Sequence, residues 1–177
     1  MKISRAIVLC LALCAGVGMF FYNSYPENVA TQEAMSAQMP EDFAFTLAYG
    51  VNAKNIVNTF TQSYTKDMVV EPSITVPFQF SKQEMQEIYA EMAKINLLTD
   101  QDWKLSPWLK NCMKVPFETY SLKVQANGKV AEFNWDDENC KLTEDQQKLN
   151  NLVEHIRGVL EKNNQFRQLP APKGGYL

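Results

Sequence analysis

The chain has 177 residues, of which 46% are hydrophobic and 21% charged, a composition typical of one globular domain with appendages. Its formal net charge is −3, and removing Lys2 and Arg5 of the N-terminal segment leaves 15 of the 17 basic residues against 20 acidic ones, or −5. This balance argues against nucleic acid as a partner, because nucleic-acid binding depends on a basic surface.

Residues 1–22 are predicted to be a membrane anchor or an export signal. Basic residues precede an uncharged run, 6–21, which would span about 24 Å as a helix, less than a hydrocarbon core of about 30 Å but long for a cleaved signal. Aromatic residues cluster at its outer end, as they do at membrane surfaces, and the basic residues predict that the N-terminus stays in the cytoplasm.

Cys14 lies in a sequence similar to a lipoprotein attachment box, although Leu13 stands where a small residue is expected. We therefore rank an uncleaved single-pass anchor first, a lipoprotein acylated at Cys14 second and a secreted protein third. All three place the domain on the extracytoplasmic side of the cell membrane, where a disulfide can persist. Residues 23–40 are polar and lack periodicity, so they are predicted to tether a single domain that covers residues 41–177.

The first half of the domain contains stretches with the alternation of strands. Residues 43–49 alternate aromatic or leucine side chains with small ones, and Gly50 ends the run. A second strand is predicted over 55–64 and a third over 74–80, in which Pro77 indicates a sheet edge because proline cannot donate to the ladder.

Residues 115–135 predict a β-hairpin around Asn127-Gly128, since a two-residue hairpin turn needs residues that tolerate positive φ. The turn fixes the register, and the apolar side chains then fall on one face. The apolar pairs are Tyr120 with Trp135, Leu122 with Phe133 and Val124 with Ala131.

The same register places Cys140 opposite Val115, close to Cys112. A disulfide between Cys112 and Cys140 is therefore predicted, with two unrelated thiols as the alternative. Closing a loop of this length would stabilise the fold by about 3 to 4 kcal/mol in the chain-entropy model.

Two capping boxes predict two amphipathic helices. The boxes are Ser81 with Glu84 and Thr143 with Gln146. We interpret Met85 and Met92 of the first helix as core residues, with an adaptable binding groove as the alternative. The predicted fold is α+β, a five-stranded antiparallel sheet in the order βββα-ββα with both helices packed on one face.

Two pairs of residues are candidates for binding. Trp103 and Trp108 lie in an irregular connection, where they could anchor a ligand or partner or else cover the core. Lys66 and Asp67 form a charged segment that the core does not require, and the alternative is a surface ion pair or turn cap worth at most about 1 kcal/mol. The C-terminal tail is a further candidate for the same reason.

Neither a catalytic site nor a metal site is predicted, and no cofactor is expected. His155 is the single histidine, and neither a nucleophile motif, a phosphate loop nor a dinucleotide fingerprint accompanies it. Cys112, Cys140 and one histidine do not complete a zinc site, and the acidic run 136–138 does not match a calcium loop. The expected function is a non-catalytic binding or interaction module for an envelope protein or wall component, with a cell-envelope hydrolase or metal-assisted enzyme as the alternative.

Several short segments together carry a resemblance to a known family. They are 43–45 with Tyr49-Gly50, 53–55 with Thr59-Phe60, 64–68, Leu169-Pro170 and 173–177. In these segments the chain resembles an uncharacterised family of small membrane-tethered or lipoprotein-type proteins of Gram-positive bacteria. The resemblance covers the chain from Pro40 to the C-terminus, and it implies an extracytoplasmic location without implying a mechanism. Many such relatives carry a lipoprotein box, from which Leu13 departs.

Overall fold

The computed structural model describes residues 34–107 and 112–177, which belong to one compact unit. The described residues form a six-stranded sheet, two long helices and one short helix. The elements are β1 (Ala44–Tyr49), β2 (Asn55–Asn58), β3 (Ser63–Met68), β4 (Glu71–Pro77), α1 (Lys82–Lys94), β5 (Thr119–Ala126), β6 (Lys129–Asp136), α2 (Glu144–Lys162) and α3 (Asn164–Arg167).

The sheet is antiparallel with the order β4-β3-β2-β1-β5-β6, so the predicted α+β class is confirmed and the predicted count of five strands is wrong. The stretch predicted as one strand over 55–64 is two strands joined by a turn. Asn58 makes this turn, because its Oδ1 accepts from the backbone N of Phe60 at 3.0 Å and of Thr61 at 3.1 Å. Phe60 consequently stands exposed at the turn instead of pointing into the core.

The predicted hairpin and both predicted helix starts are confirmed. Tyr120 pairs with Trp135, and the ladder continues in the expected register to the turn at Asn127-Gly128. Both capping boxes are formed in full, at Ser81 for α1 and at Thr143 for α2. Local turn chemistry and capping were therefore sufficient to predict these elements from the sequence.

One hydrophobic core lies between the sheet and the helices. The buried side chains of β1, β5 and β6 form a single cluster with those of α1 and α2, so both long helices cover the same face. Phe43 packs edge-on against Tyr89 of α1 at 5.0 Å between ring centroids, and Trp135 Nε1 donates to Asn150 Oδ1 of α2 at 2.7 Å. The opposite face of the sheet carries the alternate, mostly polar or small residues of each strand.

Because neighbouring strands run in opposite directions, the two ends of the sheet collect different loops. We call one end the tether end: it holds residues 34–43, the start of β1 and the β5–β6 turn. We call the other the tail end: it holds the end of β1, the start of β2, the β3–β4 turn and the C-terminal residues.

The segment before β1 is fixed to the β5–β6 turn by Asp42. Its two carboxylate oxygens accept from the backbone N of Asn127 at 2.8 Å and of Gly128 at 2.7 Å. Hydrogen bonds from Gly128 and then Asn127 hold the pKa of Asp42 below its usual value of 3.8. This contact joins residues that are far apart in the chain, and the sequence pattern did not predict it.

The described part of the predicted tether, 34–40, lies against the domain. Met35 N donates to Asn96 Oδ1 at 3.1 Å, and Tyr89 OH donates to the Ser36 carbonyl at 2.9 Å. Met35 and Met39 both pack against the core. Among the described residues there is no helix long and apolar enough to cross a membrane, and the predicted anchor with Cys14 lies outside them.

Candidate functional site

Asp67, one of the two charged binding candidates, is buried at the tail end and belongs to a chain of hydrogen bonds. Its backbone N donates to Asn55 Oδ1 at 3.0 Å, and the same oxygen accepts from Tyr64 OH at 3.3 Å. Tyr64 OH in turn lies 3.1 Å from Tyr49 OH. The Asn55 amide oxygen therefore joins β2 to β3, and the Tyr64 hydroxyl extends the network to β1.

The two tyrosines of this chain of bonds are held in their neutral form. Burial raises the pKa of Tyr64, and the neighbouring Tyr49 raises it further. Burial likewise raises the pKa of Tyr49. Gly50 makes room for the network, because its φ is +89° and a Cβ there would lie 2.9 Å from Asn55 Nδ2.

The Asp67 side chain receives the C-terminal tail. Its Oδ2 accepts from Tyr176 OH at 2.5 Å, while its Oδ1 accepts from the Val69 backbone N at 3.0 Å. Lys54 Nζ donates to Tyr176 OH at 3.0 Å and lies 5.2 Å from the centre of its ring. Two regions considered separately from the sequence, 65–67 and the tail, thus form one site.

Lys66, the other charged candidate, points to the helix side of the sheet. Its Nζ lies 5.0 Å from the ring centre of Phe166 in α3, and burial lowers the pKa of this lysine. Lys66 and Asp67 therefore do not form an ion pair with each other. Each contacts a different part of the C-terminal region.

Arg157 of α2 closes the helix side of the tail end. Its guanidinium lies over the ring of Tyr49 at 5.3 Å and is 3.5 Å from Glu118 Oε2. Burial lowers the pKa of Arg157, but the carboxylates of Glu118 and Glu154 outweigh this effect and raise it overall. The arginine thus stays charged beside neutral tyrosines, as in a structural pairing.

Trp103, the described member of the tryptophan pair, packs on the core. Its ring contacts that of Phe133 edge-on at 5.5 Å, and the residue is half-buried. Its Nε1 is buried without an acceptor among the described residues. Trp108 lies outside the described residues, and the role of the two tryptophans in binding stays a prediction.

The predicted disulfide between Cys112 and Cys140 is present, with a Cα–Cα distance of 5.4 Å. The predicted register around it is wrong: Cys140 N donates to the Cys112 carbonyl at 3.2 Å, and Met113 pairs with Asn139. The chain bends at Val115 and Pro116, which shifts the ladder beyond the hairpin. The bridge therefore closes two segments that are already paired through their backbones.

The acidic run 136–138 serves the backbone of the same region. Asp137 Oδ1 accepts from Glu118 N at 2.7 Å, and its other oxygen pairs with Lys114. His155 Nε2 lies 3.2 Å from Glu87 Oε1, which links α2 to α1. Within residues 34–107 and 112–177, no group of three histidine, cysteine or acidic side chains is placed to hold a metal ion.

The tether end contains a half-open groove between residues 37–41 and the first turns of α1. Its volume is about 700 Å³. Apolar side chains form the floor and polar side chains the rim. The floor includes Met39, Phe43, Phe80, Met85 and Tyr89, and the rim includes Glu41, Gln79, Lys82 and Gln86. We call this feature the tether-end groove.

Two smaller hollows adjoin the tether-end groove. Tyr89 also lines a hollow of about 290 Å³ on the side of the β5–β6 turn. Phe80 and Met85 line another of about 80 Å³ towards the β2–β3 turn. Of the apolar side chains that line these hollows, Met85 is half-buried, whereas Phe80 and Tyr89 are buried.

Met85 and Met92 differ in burial, which the sequence alone could not show. Met92 is fully buried in the core, as interpreted, whereas Met85 is half-buried and lines the groove. The groove as a whole was not predicted, because its walls come from two separate parts of the chain, 37–43 and 79–89. Met85 at the edge of the apolar stripe was the one signal that could have indicated it.

Comparisons with known proteins find no relative of this chain. No family model matches the chain, no curated protein matches it, and no solved structure matches it.

Proposed function

We propose that this chain is a membrane-tethered, extracytoplasmic binding module whose tether-end groove binds a polypeptide segment of an envelope protein. The module has no catalytic role in this proposal. The observation that carries it is the groove itself, which lies beside the segment through which the predicted anchor joins the domain.

The groove has the chemistry that suits a polypeptide. An apolar floor binds side chains by the hydrophobic effect, and a polar rim offers partners to the backbone groups of the bound segment. Met39 and Met85 are unbranched and polarizable, so they can adjust to different bound side chains. This combination is typical of surfaces that bind short segments of other proteins.

The ionisable side chains outside the groove make contacts within the fold. Asp67, Asp137 and Arg157 are each engaged by backbone or side-chain partners that hold the fold together. His155 Nε2 lies 3.2 Å from Glu87 Oε1, between the two long helices. The groove, in contrast, is lined by the half-buried side chains of Met39 and Met85.

The proposed location rests on the N-terminal sequence and on the disulfide. The Cys112–Cys140 bridge is typical of proteins in an oxidising compartment outside the cytoplasm. Residues 37–40 of the described part of the predicted tether line the groove.

Crosslinking and pull-down from intact cells test the proposal. The tagged full-length chain is compared with a version in which residues 1–25 are replaced by a cleavable signal, and each is tested with Gln86→Arg and with Gln83→Arg. Gln86 lines the groove, whereas Gln83 is an exposed glutamine of the same helix outside the lining set.

We expect one envelope protein to be recovered with the anchored chain, to be lost with Gln86→Arg and to be kept with Gln83→Arg. Recovery that is equal with both arginine variants would contradict the assignment of the groove. Recovery of wall fragments instead of a protein would contradict the assignment of a polypeptide ligand.

A further inference from the structure

The hollow of about 80 Å³ beside the tether-end groove is a small pocket with an apolar wall. Val57, Phe78 and Phe80 form most of this wall, and all three are buried side chains of the core. Half-buried Met85 completes it and also lines the groove, so the two spaces adjoin. We call this hollow the side pocket.

The size and polarity of the side pocket limit the side chain that it can admit. An apolar cavity of about 150 Å³ holds a benzene molecule, and the side pocket has only about half that volume. An aromatic ring is therefore too large, whereas the branched end of a valine, leucine or isoleucine is not. None of the described residues that line the pocket is ionisable, so a charged group would be buried there without a partner.

A wide hollow adjoins the groove on its other side, between the first turn of α1 and the last turn of α2, and it carries positive charge. Lys82 and Lys162 line it, both are exposed, and neither forms an ion pair within the described parts of the chain. Glu84 also lines it, but its carboxylate closes the capping box of α1. Glu41 of the groove lies on the opposite wall. We call this hollow the basic shelf.

The groove, the side pocket and the basic shelf meet at two residues. Gln79 and Phe80 line all three spaces. A polypeptide segment that lies in the groove at Phe80 consequently has an apolar pocket on one side and two lysines on the other.

We propose that the segment bound by the tether-end groove carries an aliphatic residue, which enters the side pocket, next to an acidic residue, which pairs with Lys82 and Lys162. This inference rests on the proposed function, because it specifies the chemistry of that partner. Charge complementarity selects an acidic over a basic neighbour, and the pocket volume selects an aliphatic over an aromatic anchor.

Selection from a peptide display library tests this inference. The target is the full-length chain in detergent, and the library presents random segments between two folded carrier domains. Parallel selections use Gln86→Arg, Lys82→Glu and Gln83→Glu. Gln83 is the matched control, because it is the exposed neighbour of Lys82 on the same helix and lies outside all three linings.

We expect the segments recovered on the parent chain to share valine, leucine or isoleucine beside aspartate or glutamate. Lys82→Glu should weaken their binding about fivefold, since it replaces attraction at an exposed site by repulsion. The effect should shrink as salt is added. Gln83→Glu should leave binding unchanged, and Gln86→Arg should abolish it.

Met85→Ala tests the size limit of the side pocket. It shortens the side chain that the pocket and the groove share, so the space open to an anchor becomes larger. We expect selection on this variant to recover aromatic residues at the position that is aliphatic for the parent chain. Circular dichroism verifies that each variant keeps the fold of the parent.

The outcomes separate this inference from the proposed function. Segments that are lost with Gln86→Arg but carry aromatic anchors or basic neighbours would overturn the inference and leave the groove as a polypeptide site. An aliphatic preference that is unchanged on Met85→Ala would overturn the assignment of the side pocket. Failure to recover any segment that depends on Gln86, with every variant folded, would contradict both proposals.

Discussion

The tail end and the tether end of the same sheet differ in whether their side chains find partners within the fold. At the tail end the polar groups of Asn55, Tyr64 and Asp67 are paired with one another and with the tail. At the tether end, Phe80, Met85 and Tyr89 line a groove of about 700 Å³ that no other part of the described chain fills.

Because of this difference, we expect substitutions at the tail end to change stability and substitutions at the tether end to change binding. When a buried polar group loses its hydrogen-bond partner, the free energy of unfolding falls. Substitutions at the tail end should therefore weaken the fold. An apolar side chain on an open groove contributes less to the fold, and its change should act on a partner instead. The predictions below run from the largest expected effect on stability to the smallest.

Raising the pH above 10 should destabilise the tail end most. Burial raises the pKa of Tyr64 and of Tyr120 above the usual 10.0. Tyr49 raises the pKa of Tyr64 further, and Glu118 raises that of Tyr120 further. Their contribution is complete below pH 10, where the unfolded tyrosines are also neutral, and it is lost as the pH rises towards the folded values. Each tyrosine then removes up to about 1.4 kcal/mol of unfolding free energy per pH unit.

Urea unfolding at about pH 8 and about pH 11 measures this loss. The Tyr64→Phe variant is the control, because its unfolding free energy should fall less steeply over the same interval. An unfolding free energy that stays constant across the interval in the parent chain would show that these tyrosines are not held neutral by the fold.

Asn55→Ala should lower the unfolding free energy by about 2 kcal/mol, because it leaves Tyr64 OH and the Asp67 backbone N without their acceptor. Asn58→Ala is the matched control on the same strand: its oxygen also accepts two hydrogen bonds, both from backbone N–H groups at an exposed turn. Its loss should be about half as large, since water can replace the asparagine there. Equal losses of unfolding free energy for the two variants would contradict the proposed difference between the tail end and the tether end.

Tyr176→Phe should lower the unfolding free energy by about 1 kcal/mol, because it removes the hydrogen bonds of the hydroxyl to Asp67 and from Lys54 and keeps the ring. Leu177→Ala is the control, since Leu177 is fully exposed and should leave stability unchanged. Chemical denaturation of the three chains measures both effects. A loss for Leu177→Ala as large as that for Tyr176→Phe would show that the tail is held by apolar contact instead.

Gln86→Arg should change the unfolding free energy by less than about 0.5 kcal/mol, because Gln86 is an exposed helix residue on the groove rim. Gln83→Arg should match it within error. A large loss for Gln86→Arg would mean that the groove is part of the fold's support, and reduced partner recovery could then not be assigned to binding.

Elements fixed by local chemistry could be predicted from the sequence. Asn127-Gly128 set the hairpin register, and the boxes at Ser81 and Thr143 set the helix starts. The division of 55–64 into two strands was missed because its turn lacks glycine and proline and depends on Asn58 alone. The disulfide pairing was found, while the register beside it was displaced by the bend at Val115 and Pro116.

The two candidate sites depend on contacts between distant residues, and spacing along the chain does not encode such contacts. Lys54 and Tyr176 meet across the sheet edge, and Met39 faces the same groove as Met85. Asp67 and the tail were both noted from the sequence, but only the fold shows that they bind each other. Trp103 looked like an exposed anchor or a lid, and its contact with Phe133 places it over the core.

The central claim, that the tether-end groove binds a polypeptide, is tested most directly by site-specific photo-crosslinking in intact cells. A photoreactive residue replaces Gln86 in one full-length chain and Gln83 in another, so that the two probes differ in their position on one helix. We predict that the probe at 86 forms one discrete adduct with an envelope protein and that the probe at 83 does not. The same adduct from both positions, or none from 86 while the chain is folded and present in the membrane, would contradict the claim.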